Sequence, residues 1–377
     1  MIPREVFEES LLQFLEPVRQ YLDDPDVSEV MINGPHQSFI ERFGQIEATN
    51  ARFLNEAAVM AALRNAAQFV GKYIDDQNPI LEARLPDGSR VQGVIRPVAT
   101  TGPYMAIRRF FQASLSVERL IETGSLTHAA AAALEAMVAS KLNVLVAGGT
   151  GTGKTSLLNL LTGFIPKTER VGVIEDSKEV QVQHPHVFQM EARKADFEAG
   201  LAEVPIRELF RASLRMRPDR IIIGEIRGGE ALDIIQAMVS GHGGCLGTLH
   251  ATFPRDTLTR LETMAMMSDV SMPLAALRLQ IASGVNVIVQ IARLNDGQRL
   301  VTHVTEVAGY DAASGTYVLK DLFARSYSGV GADGRMRSEL LPTGVVPGFE
   351  QHIREHGYEL PSELYSSRRL PTTGALS

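Results

Sequence analysis

Leu142-Asn143-Val144-Leu145-Val146-Ala147-Gly148-Gly149-Thr150-Gly151-Thr152-Gly153-Lys154-Thr155-Ser156-Leu157-Leu158 passes from an apolar stretch of buried-strand type, through a glycine loop, into a segment of helical character. Residues Gly148 to Thr155 match G-x-x-x-x-G-K-[ST] in full, and strand, loop, helix is the order that this pattern requires. Glycines let the backbone curl its N–H groups around an anion, because a Cβ would clash with phosphate or forbid the positive φ values needed. The following helix adds the partial positive charge of its N-terminus. The stretch therefore reads as a nucleotide site. Gly148, Gly149, Thr150, Gly151, Thr152, Gly153 and Ser156 surround the phosphates, Lys154 reaches the β- and γ-phosphates, and the Thr155 hydroxyl holds Mg²⁺.

Outward from this loop, 377 residues exceed the usual single core, so two domains are expected. Hydrophobic residues at 45% and charged residues at 21% are those of a soluble globular chain. A net charge of −7 carries no electrostatic footprint for nucleic acid. The single cysteine, Cys245, excludes an internal disulfide and fits a reducing compartment, the cytoplasm being the simplest expectation. Met1 to Glu5 do not open a secretory leader. The most apolar segment, Ala129 to Ala139, contains Glu135 and falls short of the roughly 20 residues that span a bilayer, so membrane association is expected only through partners.

Apolar spacing from Val6 to Leu22 predicts an amphipathic opening helix within 4–22. Strands are expected at 28–32 and 37–42, a helix capped by Asn55 running to about Tyr73, and strands at 80–85 and 89–95 around the turn Pro86-Asp87-Gly88. These make an α+β domain over 1–109, followed by a linker at 110–125. Within 126–310, apolar runs at 171–174, 220–223, 246–249 and 285–291 alternate with helical stretches at 205–216 and 229–240. That alternation implies a largely parallel sheet with ligands at its carboxyl edge. Residues 311–377 read as a C-terminal extension and loose tail, with short strand-like pieces at 316–320 and 334–337 and a helix at 348–356.

Polar residues at the ends of the other strands should face the loop. Glu175-Asp176 and Glu225 follow two apolar runs, and His250 ends a third. Phosphoryl transfer needs a carboxylate to orient or deprotonate water and another to anchor Mg²⁺ through its water shell, tasks that suit Glu175 and Glu225. Asp176 reads equally as a turn or cap residue. His250 sits where a neutral sensor of the γ-phosphate is useful, and His242 precedes the same strand. A metal reading of His242, Cys245 and His250 competes, but H-x₂-C-x₄-H is no common zinc spacing. Arg84, Arg90, Arg96, Arg108 and Arg109 lie on or beside strands of the first domain, either solvated and paired or able to donate to a phosphate. Arg207, Arg211 and Arg215 share one helical face, as a solvated stripe or as contacts across a ring interface.

The phosphate loop, Ile174-Glu175-Asp176, Met216 through Ile226-Arg227, and Gly241-His242 through His250-Ala251 together resemble the Walker A, Asp box, Walker B and His box of the type II/type IV secretion ATPase superfamily. Val30 to Pro35, Ala83 to Val91 and Ile107 to Phe110 also resemble its tight-adherence (Flp) pilus assembly group, the CpaF/TadA ATPases. The resemblance implies a RecA-like P-loop ATPase domain preceded by a smaller, PAS-like α+β domain. It also implies a cytoplasmic homo-hexamer that uses ATP and Mg²⁺, docks on an inner-membrane platform protein and drives pilin movement. In such rings arginines, here Arg90, Arg108, Arg109, Arg211 or Arg215, contribute at or near the nucleotide interface. The expected function is thus a pilus or secretion motor. A conjugation or type IV secretion ATPase is the alternative, and a nucleotide-gated scaffold with little hydrolysis is a rival of another class. No Asn-Lys-x-Asp motif occurs, which disfavours a GTPase.

Overall fold

The computed structural model describes residues 10–85, 87–109, 115–195, 200–332 and 334–366. The chain divides into two compact units, Met1–Ala113 and Ser114–Ser377.

In the first unit, helical turns at 10–14 lead into α1 (Glu16–Asp23), so the described part of the expected opening helix is broken at Leu15. There follow β1 (Val27–Asn33), β2 (Ser38–Arg42), β3 (Gln45–Ala48), α2 (Glu56–Phe69), β4 (Ile80–Arg84), β5 (Arg90–Val94) and β6 (Tyr104–Arg108). The strands form a six-stranded sheet in the order β3-β2-β1-β6-β5-β4, with every pairing antiparallel. Alternation explains its two faces. Val30, Ile32, Leu81, Ala83, Val91, Met105 and Ile107 are buried in one core with Val59, Leu63 and Ala66 of α2. Asn55 caps α2 as its sequence suggests, its Oδ1 accepting from Ala58 N at 3.0 Å. The helix stops at Phe69, short of Tyr73, because the chain turns through Gly71 at φ +70°. β3 and β6 lack a clear alternating signal and emerge only as partners of their neighbours. Pro86 of the expected hairpin turn lies outside the described residues.

The second unit comprises α3 (Val117–Glu122), α4 (His128–Ala139), β7 (Val144–Gly148), α5 (Lys154–Thr162), β8 (Val171–Glu175), β9 (Val187–Glu191), α6 (Ile206–Ser213) and β10 (Arg220–Ile223). It continues with α7 (Glu230–Val239), β11 (Leu246–Leu249), α8 (Pro254–Met266), α9 (Leu274–Gly284), β12 (Val287–Arg293), β13 (Arg299–Asp311), β14 (Thr316–Val330), β15 (Met336–Pro342) and α10 (Glu350–Glu355). A nine-stranded sheet runs β15-β14-β13-β12-β7-β11-β10-β8-β9. From β12 to β9 all pairings are parallel, and from β12 to β15 all are antiparallel.

β7 is buried along its whole length because alternate side chains feed different cores. Val144 and Val146 pack with Leu134, Met137, Leu157 and Leu161 of α4 and α5. Leu145 and Ala147 pack with Ile234 and Ile235 of α7, Leu258 and Leu261 of α8, and Ile281 of α9. A strand covered on both faces reads as a continuous apolar run, as β7 does. Within the expected linker, Ser116 caps α3, and Leu120 joins the β7 core. The sheet also carries on unbroken through residue 310. In place of short pieces at 316–320 and 334–337, β14 and β15 are long antiparallel strands.

The amino edge of this sheet is held by a buried cation. The Arg220 side chain is fully enclosed. It donates to Glu169 Oε2 at 2.5 Å and to the carbonyls of Val138 at 2.6 Å and Ala139 at 3.1 Å, closing the C-terminal end of α4. Gly244 leaves it room, since a Cβ there would lie 2.5 Å from its Nη1. Arg220→Ala empties a fully enclosed site and removes the buried donor to Glu169 Oε2, Val138 O and Ala139 O, leaving Glu169 with Lys141 as its remaining cationic partner at 3.2 Å. The expected cost, read from urea unfolding, is about 3–5 kcal/mol.

Candidate nucleotide site

The phosphate loop leaves β7 at the carboxyl edge, and its glycines are conditioned by what surrounds them. A Cβ on Gly148 would lie 2.5 Å from the Ile291 carbonyl oxygen and 2.7 Å from Thr152 Oγ1, so only glycine fits beside β12. Gly151 at φ +69° and Gly153 at φ +95° reverse the chain, and Gly153 starts α5. Thr152 Oγ1 donates to Gly149 O at 2.9 Å and stiffens the loop.

Lys154 is buried, and its Nζ donates to Gly149 O at 2.8 Å and lies 3.3 Å from His250 Nδ1. An ammonium can only donate, so Nδ1 accepts and the His250 proton sits on Nε2, which lies 2.8 Å from Glu225 Oε1. Burial, reinforced by Lys154, lowers the His250 pKa despite Glu225, and the ring is neutral at pH 7. Arg227 grips Glu225 Oε2 at 2.6 Å and reaches Asp176 Oδ2 at 3.3 Å. For Glu225, burial alone would raise the pKa, but Arg227, His250 and Lys154 together outweigh it and bring the pKa below the usual carboxylate value. A continuous chain of polar contacts thus links Asp176, Arg227, Glu225, His250, Lys154 and Gly149. Glu230 sets the turn that presents Arg227, its Oε1 accepting from Arg227 N at 2.7 Å and Gly228 N at 2.8 Å.

The two carboxylates marked in the sequence have different surroundings. Glu175 is only 3% exposed, and its Oε1 accepts from the backbone N–H groups of Glu179 and Val180 at 2.8 and 2.7 Å. It shapes the loop after β8. Gly224 is packed on it, since a Cβ there would sit 2.9 Å from Glu175 Cγ. Burial pushes the Glu175 pKa up to about 7 against those two donors. The carboxylate that meets the phosphate loop is Glu179, whose Oε2 accepts from Thr155 Oγ1 at 3.3 Å. Sequence reasoning passed over Glu179. Its signal was its place in the Glu175–Val180 loop, whose fold brings it back over α5.

Other marked residues fall elsewhere. His242 precedes β11, whereas His250 follows it. The four-residue strand separates them by roughly 13 Å, so His242 is at the amino edge, away from the loop. The same separation splits His242 and Cys245 from His250 as joint metal ligands. Cys245 is wholly buried, its thiol pushed up to about 12 by burial. Arg211 Nε pairs with Asp233 Oδ1 at 2.9 Å, and Arg207 with the other oxygen of Asp233 at 2.6 Å and with Asp269. Two of the three arginines in that stripe are thus engaged within their own unit, while Arg215 is exposed. In the first unit Arg109 donates to the carbonyls of Asp24 and Val27. Arg84, Arg90 and Arg108 stand directly opposite one another across β4, β5 and β6, forming a cationic row on one sheet face.

The residues at the loop fit a nucleotide with Mg²⁺: the loop leaves β7 at Gly148, where a Cβ would clash, turns through Gly151 and Gly153 at positive φ, and has the hard oxygen donors of Thr155 and Glu179 beside it. A mixed α/β fold with a phosphate loop and acidic strand ends defines a P-loop nucleotide-binding protein. The chain belongs to the type II/IV secretion system protein family, whose model matches residues 12–336. It is 34% identical over 296 residues to the putative conjugal transfer protein Rv3659c of Mycobacterium tuberculosis, covering 77% of this chain and 82% of that one. It is 31% identical over 330 residues to the type IV secretion system protein VirB11 of Bartonella quintana, covering 78% and 92%. The fold is that of the ATPase DotB of Legionella pneumophila, with a TM-score of 0.55, 20% identity and coverage of 76% and 79%. These names lie with conjugal transfer and type IV secretion and do not single out the tight-adherence branch that the motifs suggest. Among the described residues no helix is long and apolar enough to cross a membrane.

Because the folded chain holds Glu175 protonated up to about pH 7 while the unfolded chain ionises it near 4.5, the buried carboxyl favours folding most below pH 4.5 and loses that contribution as pH rises to 7. Glu175→Gln keeps the oxygen acceptor without the charge. Urea unfolding from pH 5 to 8 is expected to show the variant gaining on the wild type as pH rises, by on the order of 3 kcal/mol.

Proposed function

We propose that the chain is a Mg²⁺-dependent ATP hydrolase that powers a type IV secretion or conjugal-transfer machine. The observation that carries this reading is the polar chain from Asp176 to Lys154 at the mouth of the phosphate loop, in a member of the secretion family. Lys154 is held on a carbonyl of its own loop and on His250, so an incoming phosphate draws the ammonium away from both. His250, neutral and fixed by Glu225, registers that movement. Arg227 keeps Glu225 ionised, ready to anchor the water shell of Mg²⁺. Bound to Thr155 and flanked by Glu179, Mg²⁺ would neutralise charge on the β- and γ-phosphates. Glu179, nearer the loop than Glu175, orients and deprotonates the attacking water.

The same reading takes the working form as a homo-hexamer in the cytoplasm, attached to the inner membrane through a platform protein, and gives no role to nucleic acid. A tight-adherence pilus motor is the second reading, favoured by the N-terminal segments Val30 to Pro35 and Ala83 to Val91. Pilin and platform genes nearby favour the pilus, and relaxase genes favour conjugation.

Steady-state hydrolysis at several protein concentrations tests the motor. Turnover is expected to need Mg²⁺ and to rise more than proportionally with concentration. Lys154→Ala should abolish it. Glu179→Gln should lower kcat about 100-fold or more while ATP still binds, and Glu175→Gln should cost far less. A wild-type rate in Glu179→Gln, with loss in Glu175→Gln, reverses the assignment of the two carboxylates.

A further inference from the structure

The hairpin of β12 and β13 places two arginines against the phosphate loop. Arg293 and Arg299 are direct cross-strand partners, so both project from the same face of the sheet. Ile291, two residues before Arg293, packs on that face beneath the loop: a Cβ built on Gly153 would lie 3.9 Å from Ile291 Cδ1 and 3.8 Å from Arg299 Cδ. One built on Gly151 would lie 3.6 Å from Arg293 Nη1. The Arg293 guanidinium and the stem of the Arg299 side chain therefore lie beside the two left-handed glycines that bend the loop. The hairpin that carries them is a built turn. Leu294 N donates to Gln298 O at 2.8 Å, Gly297 takes φ +86°, and Asp296 accepts from the backbone of Gln298 at 3.0 Å and of Met336 at 2.7 Å.

Guanidinium groups set beside a phosphate-binding loop suit an anionic group of its ligand. The sheet order says which end of a nucleotide this would be. Glu225, His250 and Glu179 follow β10, β11 and β8, all on one flank of β7, and they mark where the γ-phosphate must lie. β12 adjoins β7 on the other flank. A phosphate chain whose γ end points to His250 leaves its ester end towards the β12–β13 hairpin.

We infer that Arg293 and Arg299 form the nucleoside side of the site, binding the ester-linked α-phosphate of a nucleoside di- or triphosphate and lying against its base. Guanidinium groups suit both tasks, through forked hydrogen bonds to phosphate and planar stacking. The inference rests on the nucleotide reading above and adds to it which residues distinguish a nucleotide from bare phosphate.

Calorimetric titration with ADP and, separately, with inorganic pyrophosphate, both with Mg²⁺, tests it on the full chain. Arg293→Gln, Arg299→Gln and the double variant keep polar side chains on the hairpin, and their thermal unfolding is recorded beside the wild type. The double variant is expected to bind ADP about tenfold more weakly or worse, with pyrophosphate affinity within about threefold of wild type. Lys154→Ala should weaken both ligands. Unchanged ADP affinity in the double variant overturns the inference and leaves the nucleotide reading standing. Equal loss of ADP and pyrophosphate also overturns it, since the arginines would then act on the phosphate loop as a whole. A wild-type chain that binds neither ligand overturns the nucleotide reading itself and the inference with it.

Discussion

Everything at the site depends on β7 being buried on both faces. Its side chains alternate between two cores, one closed by α4 and α5 and the other by α7, α8 and α9. Such a strand has parallel neighbours on both sides and nowhere to present polar groups except at its ends. The phosphate loop must therefore emerge at the carboxyl edge, beside the ends of β8, β10, β11 and β12. The tight passage of Gly148 along Ile291 follows from the same packing: the loop begins where two parallel strands are still in register.

Charge at this edge is arranged by contact and burial together. Glu225 and His250 are both partly buried, yet the first is kept ionised by Arg227 and the second is kept neutral by burial and Lys154. Glu175, more deeply enclosed, is kept near neutrality by burial even with two backbone donors on one oxygen. Three side chains within a few residues of strand ends thus carry three electrostatic characters. Each is traceable to burial or to a named neighbour, which is how one edge can hold an ionised carboxylate, a neutral imidazole and a loop-forming acid at once.

Much of this was legible in the linear chain. The glycine loop, the lysine and threonine that follow it, and the apolar runs of β7, β8, β10 and β11 announce themselves because each depends on residues adjacent in sequence. Asn55 as a cap is of the same kind. The misses share the opposite property. β3 and β6 are strands by virtue of their partners. The long pairing of β14 with β13 and β15 could not be read from weakly patterned segments. Glu179 lies four residues beyond the carboxylate that the sequence singled out, and only the closure of that loop, with its Glu179 and Val180 N–H groups donating to Glu175 Oε1, turns it towards Thr155. His242 looked equivalent to His250 because both flank one short strand, but a strand separates its ends.

The sequence by itself determined that a phosphate loop exists, that it sits between a buried strand and a helix, and which residue types are available at the strand ends. Those conclusions rest on spacing, backbone sterics and hydrophobic periodicity, all local in the chain. Tertiary structure decided which of those groups meet: Glu179 and not Glu175 at Thr155, Arg211 on Asp233 within its own unit, and Arg293 with Arg299 beside Gly151 and Gly153. The physical reason is that strand order and burial bring together residues far apart in sequence, and the protonation state of an acid or a histidine is set by those neighbours more than by its own chemistry.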